Sequence, residues 1–187
     1  MMTDVELLPE DTDEALADRA SRGDRAAEAT LALRLYPGVH ALATRLLRDP
    51  EAARDATQEA FVRAFSRLDQ FDRSYRFSAW IFRILVNLIR DERRRSGRIV
   101  TDEAVVQDRE DRGPGPGILA IREEDVRRAR SALDELSDET RLAVLLFFQE
   151  GLSGREVAFA LNLTPTATRI KICRGLALIR LRLRDDS

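Results

Sequence analysis

The sequence predicts an all-α protein made of two small helical domains joined by a flexible acidic linker. Three observations predict it. Apolar residues recur almost everywhere at helical spacing, with no alternating strand pattern and no hairpin signal. Helix-start and helix-stop residues punctuate the chain at short intervals. Residues 101–117, TDEAVVQDREDRGPGPG, break the periodicity with acids and alternating Gly and Pro, a composition that buries too little surface to order itself. The expected division is an acidic N-terminal tail over 1–19, a first domain over 20–98, a linker over 99–122 and a second domain over 123–187.

In chain order, Asp24 caps a helix that reaches Leu47, with Pro37 kinking it. Asp49 as N-cap and Pro50 at the first helical position open the next helix, DPEAARDATQEAFVRAFSRL. FDRSYR, 71–76, is a loop, and SAWIFRILVNLIRDERRR continues as a helix to the arginine cluster. After the linker, Ser137 caps a helix that Gly151 stops. Ser153 and Glu156 form an S-x-x-E capping box for a short helix. Asn162 takes a left-handed turn, and Thr164 with Pro165 starts the last helix. A short helix, a tight turn and a basic second helix make a helix-turn-helix.

Composition excludes several classes. With 187 residues, 44% hydrophobic and 34% charged, the chain can bury a core but must solvate much surface. The longest clean apolar run, LAVLLFF at 142–148, is far short of a membrane span. The first fourteen residues hold six acids and no base, unlike a signal peptide. One cysteine, Cys173, excludes an internal disulfide and a cysteine-rich metal site. The single histidine, His40, reads as a packed or surface residue, and no phosphate loop or hydrolase motif is present. The expectation is a cytoplasmic protein that is not an enzyme, inserts in no membrane and uses no metal or cofactor.

Net charge is −2, yet two basic islands stand out. Residues 76–98 hold seven arginines against Asp91 and Glu92, and residues 163–184 hold five arginines and Lys171 with no acid. Two islands in an acidic chain suggest two anion-binding surfaces. On a wheel of about 100° per residue, Phe77, Trp80, Ile81, Ile84, Leu85 and Leu88 make an apolar face, with Phe82, Val86 and Ile89 on its flank. The remaining strip is Ala79, Arg83, Asn87, Arg90 and Arg94, with Arg76 and the edge of Trp80 beside it. A solvated face usually mixes acids with bases; this strip is read as lacking acids. Its arginines suit a phosphate backbone, and an Asn amide can both donate to and accept from a base edge. A neighbouring aromatic and a polar loop suit an unstacked base.

Those residues carry a resemblance. DPEAARDATQEAFVRAF, Phe77, the pair Ala79–Trp80 and RILVNLIRDERRR resemble region two of bacterial RNA polymerase sigma factors of the sigma-70 family, in the extracytoplasmic-function group. ALDELSDETRLAVLLFFQEGLSGREVAFALNLTPTATRIKICRG resembles region four. The resemblance implies that the first domain recognises and opens the −10 promoter element and the second reads the −35 element. It puts Arg76, Trp80, Arg83, Asn87, Arg90 and Arg94 at the −10 DNA, with the loop 71–76 conferring base specificity. Arg169, Ile170, Cys173 and Arg174 fall on base-reading positions for −35, with Arg155 and Lys171 as backbone contacts. Asp55, Gln58, Glu59 and Val62, a stripe that alone reads as a solvated face, would dock on the β′ clamp of core RNA polymerase; the β flap and an anti-sigma factor are further expected partners.

The chain departs from the family pattern at Thr168, where an apolar residue is usual, so looser packing is expected there. Ile170 and Cys173 also differ; Ile170 can touch a thymine methyl but cannot hydrogen-bond a base. Cys173 reads as a small filler rather than an oxidation sensor. Two other functions remain open on the residues: a stand-alone helix-turn-helix regulator and a helical adaptor that binds only proteins.

Overall fold

A computed structural model describes residues 11–47, 49–95 and 123–184, with side chains from 127 onward in the last stretch. The expected linker, 99–122, lies outside the described residues. The chain divides into two compact units, Met1–Ile99 and Val100–Ser187. Every regular element among the described residues is helical.

The first unit holds α1 (Asp13–Ser21), α2 (Arg25–Leu47), α3 (Pro50–Ser66), a 3-10 turn (Leu68–Gln70) and α4 (Phe77–Arg95). Helix α1 takes in residues 13–19 of the expected tail, whose residues 1–10 lie outside the described residues. Thr12 Oγ1 caps it by accepting from Ala15 N at 3.2 Å, and Leu16, Ala17 and Ala20 are buried. Asp13 and Glu14 thus belong to the favourable first turn of a packed helix. Asp24 Oδ1 caps α2 through Ala26 N and Ala27 N at 3.0 and 3.1 Å, and α2 runs unbroken through Pro37. Asp49 Oδ1 caps α3 through Glu51 N at 2.9 Å, with Pro50 leading.

Helix α2 packs on α1, α3 and α4, and α3 packs on α4. A row of stacked rings, Tyr36, Phe61, Phe65 and Phe77, crosses this core with centroids 6.0–6.3 Å apart. His40 stacks on Tyr36 and lies 3.4 Å from Thr57 Oγ1, a packing role. At the far end, Arg93 Nη2 donates to Leu46 O at 2.7 Å. A cation there complements the C-terminal end of α2.

The second unit holds α5 (Glu123–Glu135), α6 (Asp138–Phe148), α7 (Gly154–Leu161) and α8 (Pro165–Arg184). Helix α8 packs on the other three. Ser137 occupies the N-cap position of α6, but its hydroxyl donates to Thr140 Oγ1 at 3.0 Å and accepts no backbone N–H of the first turn. Buried Arg141 was not anticipated. Its guanidinium donates to the carbonyls of Leu133, Asp134 and Leu136 at 2.7, 2.9 and 3.1 Å, satisfying the end of α5. Gly175 lets α8 approach α6, since a methyl there would run into Val144 Cγ2.

Candidate nucleic-acid interface

Helix α4 is wedged into the first unit by Phe77, Ala79, Trp80, Ile81, Phe82, Leu85, Val86, Leu88 and Ile89, all buried. The helix is turned from the expected setting. Ala79, assigned to the polar strip, is fully buried, whereas Ile84, assigned to the core face, is half-exposed. Asn87 and Arg94 are exposed, and Arg83 and Arg90 half-exposed, so these four do share one face. The rotation brings Asp91 onto it, where Oδ1 pairs with Arg94 Nη2 at 2.8 Å. The strip therefore contains an acid, contrary to expectation. Arg95 pairs likewise with Glu92 at 3.4 Å. Part of the arginine cluster is thus neutralised within α4, and Arg93 serves α2.

Trp80 is a core residue. It is 8% exposed, with Phe71 at 5.3 Å and Phe77 at 5.5 Å between ring centroids. The loop before α4 is shaped by Phe71, which is buried, and by Asp72 Oδ1, which accepts from Ser74 N at 2.9 Å. That Asx turn leaves Arg73, Ser74 and Arg76 exposed and Tyr75 half-buried. Tyr75 is the aromatic that the loop offers to the surface. Sequence reasoning passed over it, although a lone ring among polar loop residues was the available signal.

In the second unit the helix-turn-helix forms as its punctuation dictates. Ser153 and Glu156 complete both halves of the capping box, with Ser153 N to Glu156 Oε2 at 2.7 Å. Asn162 takes φ 56°, ψ 47°, ending α7 in the left-handed region. Thr164 Oγ1 accepts from Ala167 N at 3.2 Å to start α8. Arg169, Cys173 and Arg174 are exposed and Ile170 is half-exposed along the first half of α8; Arg155 is exposed on α7. Lys171 instead pairs with Glu139 Oε2 at 3.1 Å, on a side chain only 20% exposed. Arg182 pairs with Glu135 at 2.7 Å, which holds the Glu135 carboxyl below its ordinary range. This basic island is therefore less positive than its sequence suggests. Thr168 is buried, and its hydroxyl donates to Thr164 O at 3.0 Å.

A third surface lies on α3. Asp55, Gln58, Glu59 and Val62 are exposed in one stripe, and Val62 at 63% is among the most exposed large apolar residues described. Glu59 is steadied by Arg63 Nε at 2.6 Å. Beside the stripe, a groove of about 380 Å³ runs between α3 and α4, with Asp55, Glu59 and Glu92 on its rim over Ala56, Leu88 and Ile89.

Comparison with known proteins accounts for both units. The sigma-70 region 2 model matches residues 31–99, and the sigma-70 region 4 model matches residues 127–179. The chain belongs to the sigma-70 family of RNA polymerase sigma factors, in its extracytoplasmic-function group. It is 32% identical to the RNA polymerase sigma factor CnrH of Cupriavidus metallidurans, over 97% of this chain and 99% of that one. It is 34% identical to the probable RNA polymerase sigma factor RfaY of Xanthomonas campestris over 76% of this chain, which spans 36% of that relative. The structure of CnrH in complex with the cytosolic domain of CnrY aligns with a TM-score of 0.62 at 30% identity, covering 95% of this chain and all of that one.

Proposed function

We propose that the protein binds core RNA polymerase and directs transcription initiation at a specific promoter set, contacting −35 DNA as duplex and −10 DNA as melted strand. The carrying observation is the pairing, in one sigma-family chain, of a helix-turn-helix with an Arg–Asn strip that adjoins a turn-locked loop. Helix α8 suits the major groove. It extends Arg169, Cys173 and Arg174 from a cap-fixed start, and a bidentate arginine reads a guanine edge well. Arg155 on α7 suits a backbone phosphate. Lys171, committed to Glu139, contributes less.

In the first unit, Asn87 between Arg83 and Arg90 suits capture of a displaced base, with the loop 71–76 shaping the pocket. Trp80 supports that surface from inside rather than stacking on DNA. The domain containing it takes in α1, ahead of residue 20. The α3 stripe of Asp55, Gln58, Glu59 and Val62 is the proposed seat for the β′ clamp, and the second unit for the β flap. An anti-sigma factor is the proposed regulator, by analogy with the CnrH complex with CnrY. The protein works in the cytoplasm, needs no cofactor and turns over no substrate. Free, it binds DNA weakly, because polymerase supplies most of the affinity.

Reconstituted transcription tests this reading. Asn87→Ala is expected to impair initiation on duplex templates more than on premelted ones; equal loss on both would remove the base-capture role. Reversing charge at Asp55 and Glu59 is expected to weaken polymerase binding with the fold intact. Tight, site-specific binding by the chain alone would favour a stand-alone regulator.

A further inference from the structure

Helix α4 begins at Phe77. Arg76, the residue before it, has no side-chain acceptor, and the first turn of α4 holds no acid. A helix start nonetheless presents unpaired N–H groups and a positive dipole end. Glu14, on α1 and 63 positions earlier, supplies acceptor and charge together: its Oε1 accepts from Phe77 N at 3.3 Å. Asp18 lies one helical turn further along the same face of α1. Its Oδ1 accepts from Arg73 Nε at 2.6 Å, in the middle of the loop that leads into α4.

Two acids on one short helix thus hold both the loop and the first residue of the helix that follows it. Phe71, buried against Phe77 and Trp80, anchors the loop's other end. The loop residues immediately before α4 are Ser74 and Arg76, both exposed, and half-buried Tyr75.

We propose that α1 is a positioning clasp for −10 recognition, with Glu14 and Asp18 setting the angle at which residues 74–76 and the Arg83–Asn87 strip meet a displaced base. This rests on the proposed base capture by that loop and strip. An exposed ion pair adds little to global stability, so the clasp acts on the loop's orientation rather than on folding. Glu14 and Asp18 touch no DNA in this scheme.

The test is transcription by reconstituted holoenzyme from a template library randomised across the −10 element, with thermal unfolding measured in parallel. Glu14→Ala with Asp18→Ala is expected to flatten base preference at one −10 position by about threefold to tenfold, while −35 preference stays unchanged. Glu14→Gln, which keeps an acceptor oxygen, should retain the profile. A uniform loss of transcription across all templates, or an unchanged profile, would overturn the clasp. Asn87→Ala, run in the same library, separates the two levels: if it flattens the profile and the α1 variants do not, the clasp alone fails. If Asn87→Ala leaves the profile intact, base capture fails and the clasp has nothing to position.

Discussion

Helix α4 buries nine of its nineteen residues, whereas α8 buries three of its twenty, Thr168, Ile172 and Gly175. The first is a core helix with a narrow open strip; the second lies on its neighbours and presents most of its girth. Their starts differ in the same sense. Helix α8 is capped by its own Thr164 and Pro165, while α4 is capped by Glu14 from another helix. A helix that enters a duplex groove has to protrude, which favours self-contained capping. A surface that holds a displaced base has to be braced from several sides, which favours tertiary support. On the proposed function, the two units meet different recognition problems with the same secondary structure.

The largest expected effect breaks the comparison on the side of the core. Leu85, fully buried in α4, should cost about 2–5 kcal/mol on replacement by alanine. Ile172→Ala in α8, at a site 7% exposed, should cost less. Chemical denaturation of the two variants compares them, and equal losses would contradict the contrast drawn here. Next is Arg141→Ala, which strands three carbonyls at the end of α5 and should destabilise the second unit by about 2–4 kcal/mol. Hydrogen exchange should show the loss confined to residues after 123, leaving α1–α4 protected.

Arg174→Ala should leave stability unchanged, because the side chain is exposed, but should cost about 1–3 kcal/mol of −35 discrimination at one position. A competition assay with promoter variants measures it. The smallest effect is acid sensitivity. The Asp24 carboxyl is held below its ordinary value near 3.8, first by the Ala27 N–H and then by Arg19. Glu135 is held below 4.5 by Arg182. With folded values depressed, the unfolded chain binds more protons as pH falls, so both contributions are complete above about pH 4.5 and vanish as pH drops through the folded values. Melting temperature should fall modestly below that pH, and Asp24→Asn should flatten the fall in the first unit.

Local chemistry was legible. Asp24, Asp49–Pro50, Ser153–Glu156, Asn162 and Thr164–Pro165 announce their boundaries because a cap acts within three residues of itself. What depended on distant partners was not. Arg93 and Arg141 serve the ends of other helices, and in sequence they look like any surface arginine. The wheel of α4 placed Arg83, Asn87, Arg90 and Arg94 together, but could not say which neighbour closes over Ala79 and leaves Ile84 open. Helix α1 was missed for a different reason. Its Thr12 cap and Leu16–Ala17–Ala20 face were present in the sequence, yet six acids in fourteen residues read as a solvated tail.

The single hydrogen atom at Gly175 works like the key in a keyed shaft. Val144, Leu136 and Thr140 close around that position, so turning α8 about its axis would bring a bulkier residue against them. On the proposed function, the cheaper route to a new target is therefore to exchange outward-facing side chains on α8 and keep its seat on α6.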